Sequence, residues 1–111
     1  MAITVRAIIP AKQAENVQTT QYTSTNVTTV IDKFSVTNTT ANNVTFSAHV
    51  VTFGGAAGNG NAVLFSRTIA PSETYLCPEL VGQVLESNGF ISTLAGAAAS
   101  LTIRASGRQI T

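Results

Sequence analysis

The stretch Val44-Thr45-Phe46-Ser47-Ala48-His49-Val50 decides the fold, because apolar and polar side chains alternate along it. Such alternation with a period of two places the apolar side chains on one face of a β-strand. The strand pattern continues through Val51-Thr52-Phe53. We therefore predict a strand here, with His49 opposite in phase to its apolar neighbours, pointing outward or into a second contact surface.

The segment before this strand shows a similar pattern. In residues 27–37, Val30, Phe34 and Val36 alternate with a second face, while Asp32 interrupts the apolar face. The residues of the second face are Ile31, Lys33, Ser35 and Thr37. We expect a β-bulge or an edge position at Asp32. The asparagine-rich residues 38–43 between the two strands are typical of a turn, since asparagine tolerates left-handed backbone. Residues 27–37 and 44–53 are therefore predicted to form a β-hairpin.

Several shorter segments have strand character, and one segment has helix character. The further strands are predicted at residues 3–9, 62–70, 74–76, 90–94 and 100–105, with a flexible glycine-rich connection at 54–61. Pro78-Glu79-Leu80-Val81-Gly82-Gln83-Val84-Leu85 favours one short helix near residues 78–86, because proline fits a first helical turn and an adjacent acid complements the helix dipole. Six to eight short strands with one short helix indicate an all-β, single-domain β-sandwich or jelly-roll-like fold.

Two polar segments lie outside this strand pattern. Residues 11–26 have no periodicity, and we read them as a loop or an extended arm, with a short strand around Tyr22. Residues 106–111 are the second candidate for an arm. The length of 111 residues fits one domain, residues 1–111, with one hydrophobic core.

Charge and composition exclude several classes of function. Charged residues make up only 10% of the chain, against roughly 25% in average soluble proteins. A net charge of +1 offers no basic surplus for nucleic-acid phosphates. No apolar run approaches the roughly 18 residues that span a membrane, and we expect no signal peptide at the N-terminus. We therefore predict synthesis in a cytosol and neither nucleic acid nor membrane as a partner.

Catalytic chemistry has few candidates. One histidine, His49, and one cysteine, Cys77, provide no multi-ligand metal set, so we expect no metal and no cofactor. A nucleophilic pair of Cys77 and His49 is the enzymatic alternative, but a buried, inert Cys77 is favoured because free cysteine is commonly buried. We predict a protein without catalytic residues, whose contact residues include Tyr22, His49, Arg104 and Arg108.

The C-terminal third contains two stretches that resemble small virion structural proteins of tailed bacteriophages. These are Glu73-Thr74-Tyr75-Leu76-Cys77-Pro78-Glu79-Leu80-Val81-Gly82-Gln83-Val84-Leu85 and Ser100-Leu101-Thr102-Ile103-Arg104-Ala105-Ser106-Gly107-Arg108-Gln109-Ile110. The beginning, Ile8-Ile9-Pro10-Ala11-Lys12-Gln13-Ala14, is similar to the same group. The resemblance implies a multicopy, non-enzymatic component of the virion.

This resemblance leaves the position on the particle open. We expect a capsid decoration (cement) protein that bridges shell subunits as a homo-oligomer, with a neck, collar or tail component as the alternative. Its partners would be phage capsid or neck and tail proteins. A carbohydrate- or receptor-binding β-module is an alternative from another class, although the chain has no tryptophan and only two tyrosines to build an aromatic platform.

Overall fold

Two antiparallel β-sheets pack face to face in the computed structural model, which describes residues 2–111. This arrangement confirms the all-β sandwich. The strands are β1 (Ile3–Gln13), β2 (Thr19–Thr23), β3 (Thr28–Asn38), β4 (Val44–Val51), β5 (Ala62–Ile69), β6 (Thr74–Tyr75), β7 (Val84–Leu85), β8 (Phe90–Ala95) and β9 (Leu101–Ile110). A single 3-10 turn covers Asn59–Asn61.

Each sheet has its own strand order. Sheet A has the order β1-β9-β3-β6, and β7 also pairs with β3. Sheet B has the order β2-β8-β4-β5. Strand β1 therefore lies at one edge of sheet A with β9 as its neighbour, and β9 and β3 form the interior of this sheet.

The core lies between the sheets and is made by the apolar side of the alternating patterns. Phe34 from β3 and Phe46 from β4 are both fully buried, and their ring centroids are 6.1 Å apart at a tilt of 41°. Burial of large apolar side chains of this kind is the main favourable term in folding. These two rings join sheet A to sheet B at the centre of the domain.

The predicted hairpin of residues 27–37 and 44–53 is wrong. Strands β3 and β4 belong to different sheets, so the asparagine-rich turn is a corner between sheets. Buried Asn38 holds this corner: its Nδ2 donates to the carbonyl oxygens of Asn42 (2.7 Å) and Ile69 (2.9 Å). Alternation correctly placed Phe34, Val36 and Phe46 in the core, but the bulge at Asp32 reverses the faces before it, so Ile31 is buried and Val30 lies on the opposite face. Alternation also does not specify which strand pairs with which.

The predicted helix near residues 78–86 is also absent. Residues 78–82 form turns, in which the Leu80 amide donates to the Cys77 carbonyl at 2.9 Å, and β7 follows. Cys77 and Gly82 have positive φ angles of 45° and 85°, which interrupt a right-handed helix on both sides. The Gly82 amide instead donates to the Ile31 carbonyl at 2.7 Å and so attaches this loop to β3.

Neither predicted arm extends from the domain. In the 11–26 segment, β1 continues to Gln13 and β2 covers Thr19–Thr23, which confirms a strand around Tyr22. Residues 106–110 belong to β9, between β1 and β3. Polar composition was misleading here because these strands expose one face and hold polar side chains in buried hydrogen bonds. Within residues 2–111, no helix is long and apolar enough to cross a membrane.

Candidate interaction surface

The outer face of sheet A, the face turned away from sheet B, carries a row of four residues in register. Arg108 of β9 lies opposite Val5 of β1 and opposite Val30 of β3, and Val30 in turn lies opposite Val84 of β7. Residues directly opposite in adjacent antiparallel strands point to the same side of the sheet. The row is therefore apolar on both flanks, with one arginine between valines.

Two of these valines are strongly exposed. Val5 is 76% exposed and Val84 is 49% exposed, and Ile3 beside Val5 is 57% exposed. Ile9, in the same predicted strand of residues 3–9, is buried, and a register shift between Arg6 and Ile9 separates it from Ile3 and Val5. The face therefore carries two exposed apolar areas, Ile3 with Val5 and Val84 with its neighbour Val30, on either side of Arg108.

A basic depression adjoins this row on the same face. Its volume is about 310 Å³, and it is lined by Lys33, Ser35, Arg104, Ala105 and Ser106. Within the described residues, neither Lys33 nor Arg104 forms an ion pair, and the two serine side chains make no hydrogen bond. The depression thus brings together two cationic groups and two hydroxyl groups whose hydrogen-bond donors are free to bind a partner. This chemistry fits a carboxylate on a partner.

The bulge in β3 places Lys33 at this depression. The register between β3 and β9 shifts between Ile31 and Lys33, so both Asp32 and Lys33 are exposed on the outer side. This confirms the predicted bulge at Asp32, although β3 is an interior strand rather than an edge strand. Asp32 is ion-paired with Arg108 at 3.1 Å, which leaves Lys33 and Arg104 as the uncompensated cations of the face.

Arg104 and Arg108, both predicted contact residues, therefore lie together on one exposed face. Tyr22 lies elsewhere and is half-buried under sheet A. Its hydroxyl group lies 2.8 Å from Thr29 Oγ1 and accepts a hydrogen bond from Gln109 Nε2 at 2.6 Å. Buried Ser24 Oγ extends this network to the Val27 carbonyl at 2.6 Å. Tyr22 links β2 to β3 and β9 and presents no polar group to a partner.

His49 has the predicted phase, opposite to its apolar neighbours, but it is only 4% exposed and so is not an exposed contact residue. Its side chain lies on the outer side of sheet B, but the loop after β4 covers it. Nδ1 lies 3.1 Å from Asn61 Oδ1 and 3.2 Å from the Gly58 carbonyl oxygen. Asn61 in turn accepts from the Gly58 amide and donates to the Ala56 carbonyl, which ties the glycine-rich loop down. His49 therefore fixes this loop to the sheet.

Cys77 is buried, as predicted, and its environment suppresses its reactivity. Burial, followed by the nearby carboxylate of Glu79, raises the pKa of the Cys77 thiol to about 12. The thiolate is the nucleophilic form, and this form is scarce when the pKa lies far above neutrality. The surroundings of Cys77 therefore argue against the alternative of a cysteine nucleophile.

We expect native Cys77 to resist alkylation by iodoacetamide at pH 8 and to react at once in denaturant, as mass spectrometry would record.

The same raised pKa of Cys77 makes the stability of the folded protein depend on pH. Above the ordinary pKa the unfolded chain loses the thiol proton while the folded chain keeps it, so stability falls as the pH rises from 9 toward 12. Cys77 should contribute about 1.4 kcal/mol per pH unit to this slope, and the slope should be smaller by that amount in Cys77→Ala. Rapid alkylation of the folded protein would contradict this description.

Metal-binding groups are not assembled in the described part of the chain, where no three His, Cys, Asp or Glu side chains cluster. Comparisons with protein-family models, curated proteins and solved structures found no match to this chain. The geometry of the outer face of sheet A is therefore the main guide to function.

Sequence reasoning missed the apolar half of this face. Val84 was placed in the predicted helix near residues 78–86, and Val5 was placed in a predicted strand without being singled out as a contact residue. Lys33 was not singled out, although the expected bulge at the preceding Asp32 was a usable signal, since a bulge turns two consecutive side chains to one side.

Proposed function

We propose that this chain is a non-enzymatic structural protein of a tailed bacteriophage virion, and that it decorates the capsid. Many copies would bind the outside of the shell, each with the outer face of sheet A against shell subunits. The proposal combines the resemblance of residues 73–85 and 100–110 to virion proteins with a surface suited to docking.

The observation that carries the proposal is the composition of this face. Val5 and Val84 are exposed at its two sides, and the unpaired cations Lys33 and Arg104 lie at its basic depression. Burying exposed apolar area contributes about 25 cal/mol per Å² before the costs of association. Partner carboxylates opposite Lys33 and Arg104 would fix the orientation of the bound protein and raise its association rate. A shell surface with acidic side chains around an apolar patch is the complementary partner.

The low overall charge supports a crowded arrangement. Six basic and five acidic residues leave a net charge of +1, so neighbouring copies repel one another only weakly. A decoration protein has to pack densely on a repeating lattice, and a nearly neutral domain meets this requirement.

A neck, collar or tail position would use the same face, and it is the alternative within this class. A carbohydrate-binding module has less support, because the two tyrosines are engaged within the domain. The Tyr22 hydroxyl is hydrogen-bonded inside, and the guanidinium carbon of Arg67 lies 4.2 Å from the centroid of the Tyr75 ring. Neither ring offers a free platform for a sugar.

Matched lysine substitutions on the two faces of the sandwich test the docking face. Val84→Lys should weaken binding to particles that lack the protein by about tenfold or more, because a lysine would be buried against apolar surface. Phe65→Lys changes a 66% exposed apolar residue of sheet B and should leave binding unchanged. Cosedimentation with particles measures both. Loss of binding in Phe65→Lys alone would place the contact on sheet B and overturn the proposed face.

A further inference from the structure

The first residues of β1 form an open strand edge. Residues 3–7 are exposed on both faces of the sheet, with Ile3 and Val5 on the outer face and Thr4 and Arg6 on the other. The register from Ile3 to Arg6 is regular, without a bulge. The register shifts and Pro10 that interrupt β1 come after Arg6, so this short first stretch is the part of the edge that is a template for pairing with another strand.

The hydrogen bonds to β9 show which backbone groups are free. The Ala2 amide donates to the Thr111 carbonyl at 3.4 Å, and the Thr111 amide donates to the Ala2 carbonyl at 3.0 Å. Hydrogen-bonded and non-hydrogen-bonded pairs alternate along an antiparallel ladder. Thr4 and Arg6 are therefore bonded to β9, whereas the amide and carbonyl groups of Ile3 and Val5 point away from β9, toward the free edge.

We propose that this edge pairs with the same edge of a second copy, antiparallel, about a two-fold axis that passes between the two Thr4 residues. In this register Ile3 of each copy lies opposite Val5 of the other. The free amide and carbonyl groups of Ile3 and Val5 then form four hydrogen bonds between the copies, since each of the two Ile3–Val5 pairs exchanges two bonds. The interaction continues sheet A across two molecules.

The segment is complementary to itself in this register. Ile3 and Val5 are two positions apart, so a two-fold axis through Thr4 places the Ile3 side chain of one copy opposite the Val5 side chain of the other on the outer face. Its only charge, Arg6, faces Ala2 of the other copy. A shift of the pairing by two residues, about an axis through Val5, would set Ile3 opposite the smaller Ala7. A shift by four residues, about an axis through Arg6, would oppose the two arginines, and like charges directly opposite are destabilising. A second copy is therefore the occupant that the pattern favours.

The two-fold axis runs perpendicular to the sheet, because opposite residues of an antiparallel pair point to the same side. Both copies would thus present their outer faces in the same direction, as one surface of twice the width. This inference rests on the edge geometry alone and goes beyond the proposed function, since the pair would form whether or not the surface binds a capsid.

Cysteine crosslinking tests the register. In the proposed pair the Thr4 α-carbons are about 4.5 Å apart, within disulfide range, whereas the two Val5 α-carbons are diagonal neighbours about 7–8 Å apart, at or beyond its limit of about 7 Å. Thr4→Cys should therefore form a disulfide-linked dimer under mild oxidation, and Val5→Cys should not. Both positions are exposed, so neither variant threatens the fold. Crosslinking of Val5→Cys alone, or of neither variant, would overturn the proposal; buried Cys77 should stay unlinked in all variants.

Sedimentation velocity tests the association itself. Wild type should show a concentration-dependent monomer–dimer equilibrium. Val5→Pro removes only an outward amide, so it should preserve the pairing with β9 and weaken the dimer by about tenfold or more. Val84→Lys, on the far side of the same face, should dimerise like wild type while failing to bind particles. A wild type that stays monomeric would reject the pairing and leave the docking face untouched, so the two proposals fail separately.

Discussion

Phe34→Ala should lower the free energy of unfolding by about 3–5 kcal/mol, a large part of the roughly 5–15 kcal/mol that a domain of this size has. Phe34 is fully buried and packs on Phe46 across the two sheets. Its removal loses the transfer free energy of the ring, creates a cavity and abolishes an aromatic pair worth about 0.5–1.5 kcal/mol beyond area.

Urea denaturation followed by far-ultraviolet circular dichroism would measure this loss. Phe53→Ala is the matched control, because Phe53 is 76% exposed and the same truncation there should change stability by only about 0.5 kcal/mol. Equal losses at the two positions would mean that Phe34 and Phe46 do not join the sheets in the way described.

Gly107→Ala should lower the free energy of unfolding by about 1–3 kcal/mol. Gly107 lies in β9 between Arg6 of β1 and Ile31 of β3. A Cβ atom there would collide with the backbone carbonyl oxygen of Val30. Backbone cannot rotate away as a flexible side chain can, so β9 and β3 would have to separate locally.

Gly60→Ala is the control for this substitution, since a Cβ atom at position 60 would meet no atom within 4 Å. It should leave the urea midpoint nearly unchanged. Because Arg108 and Val30 flank the collision, Gly107→Ala should also weaken binding through the outer face of sheet A. A Gly107→Ala protein as stable as Gly60→Ala would contradict the close approach of β9 to β3.

The fold class followed from the sequence because period-two alternation reports which side chains face a core. The strand at residues 44–51 is the clearest example. The pairing of the strands could not be predicted from the sequence, because the alternation of residues 27–37 is the same whether β3 pairs with β4 or with β9. The false helix at residues 78–86 arose from apolar residues with helix-like spacing, whereas the positive φ angles at Cys77 and Gly82 are visible only in the structure.

The candidate surface was predictable only in part. Arg104 and Arg108 were accessible to sequence reasoning because a basic end without acidic neighbours indicates a contact. Val5 and Val84 were not, because alternation does not show which face of the first strand turns away from sheet B, and because β7 replaces the predicted helix at Val84. The burial of His49 was not predictable, because the loop of residues 54–61 that covers it has no sequence pattern of its own.

The amount of this protein in purified virions tests the proposed decoration of the capsid most directly. Quantitative mass spectrometry, calibrated against the major capsid protein, gives the number of copies per particle, and electron microscopy of particles lacking the protein locates the missing density. Decoration predicts a copy number that scales with the shell subunits and density lost over the whole capsid surface. Density lost at a single vertex, or no protein in the particle at all, would contradict it.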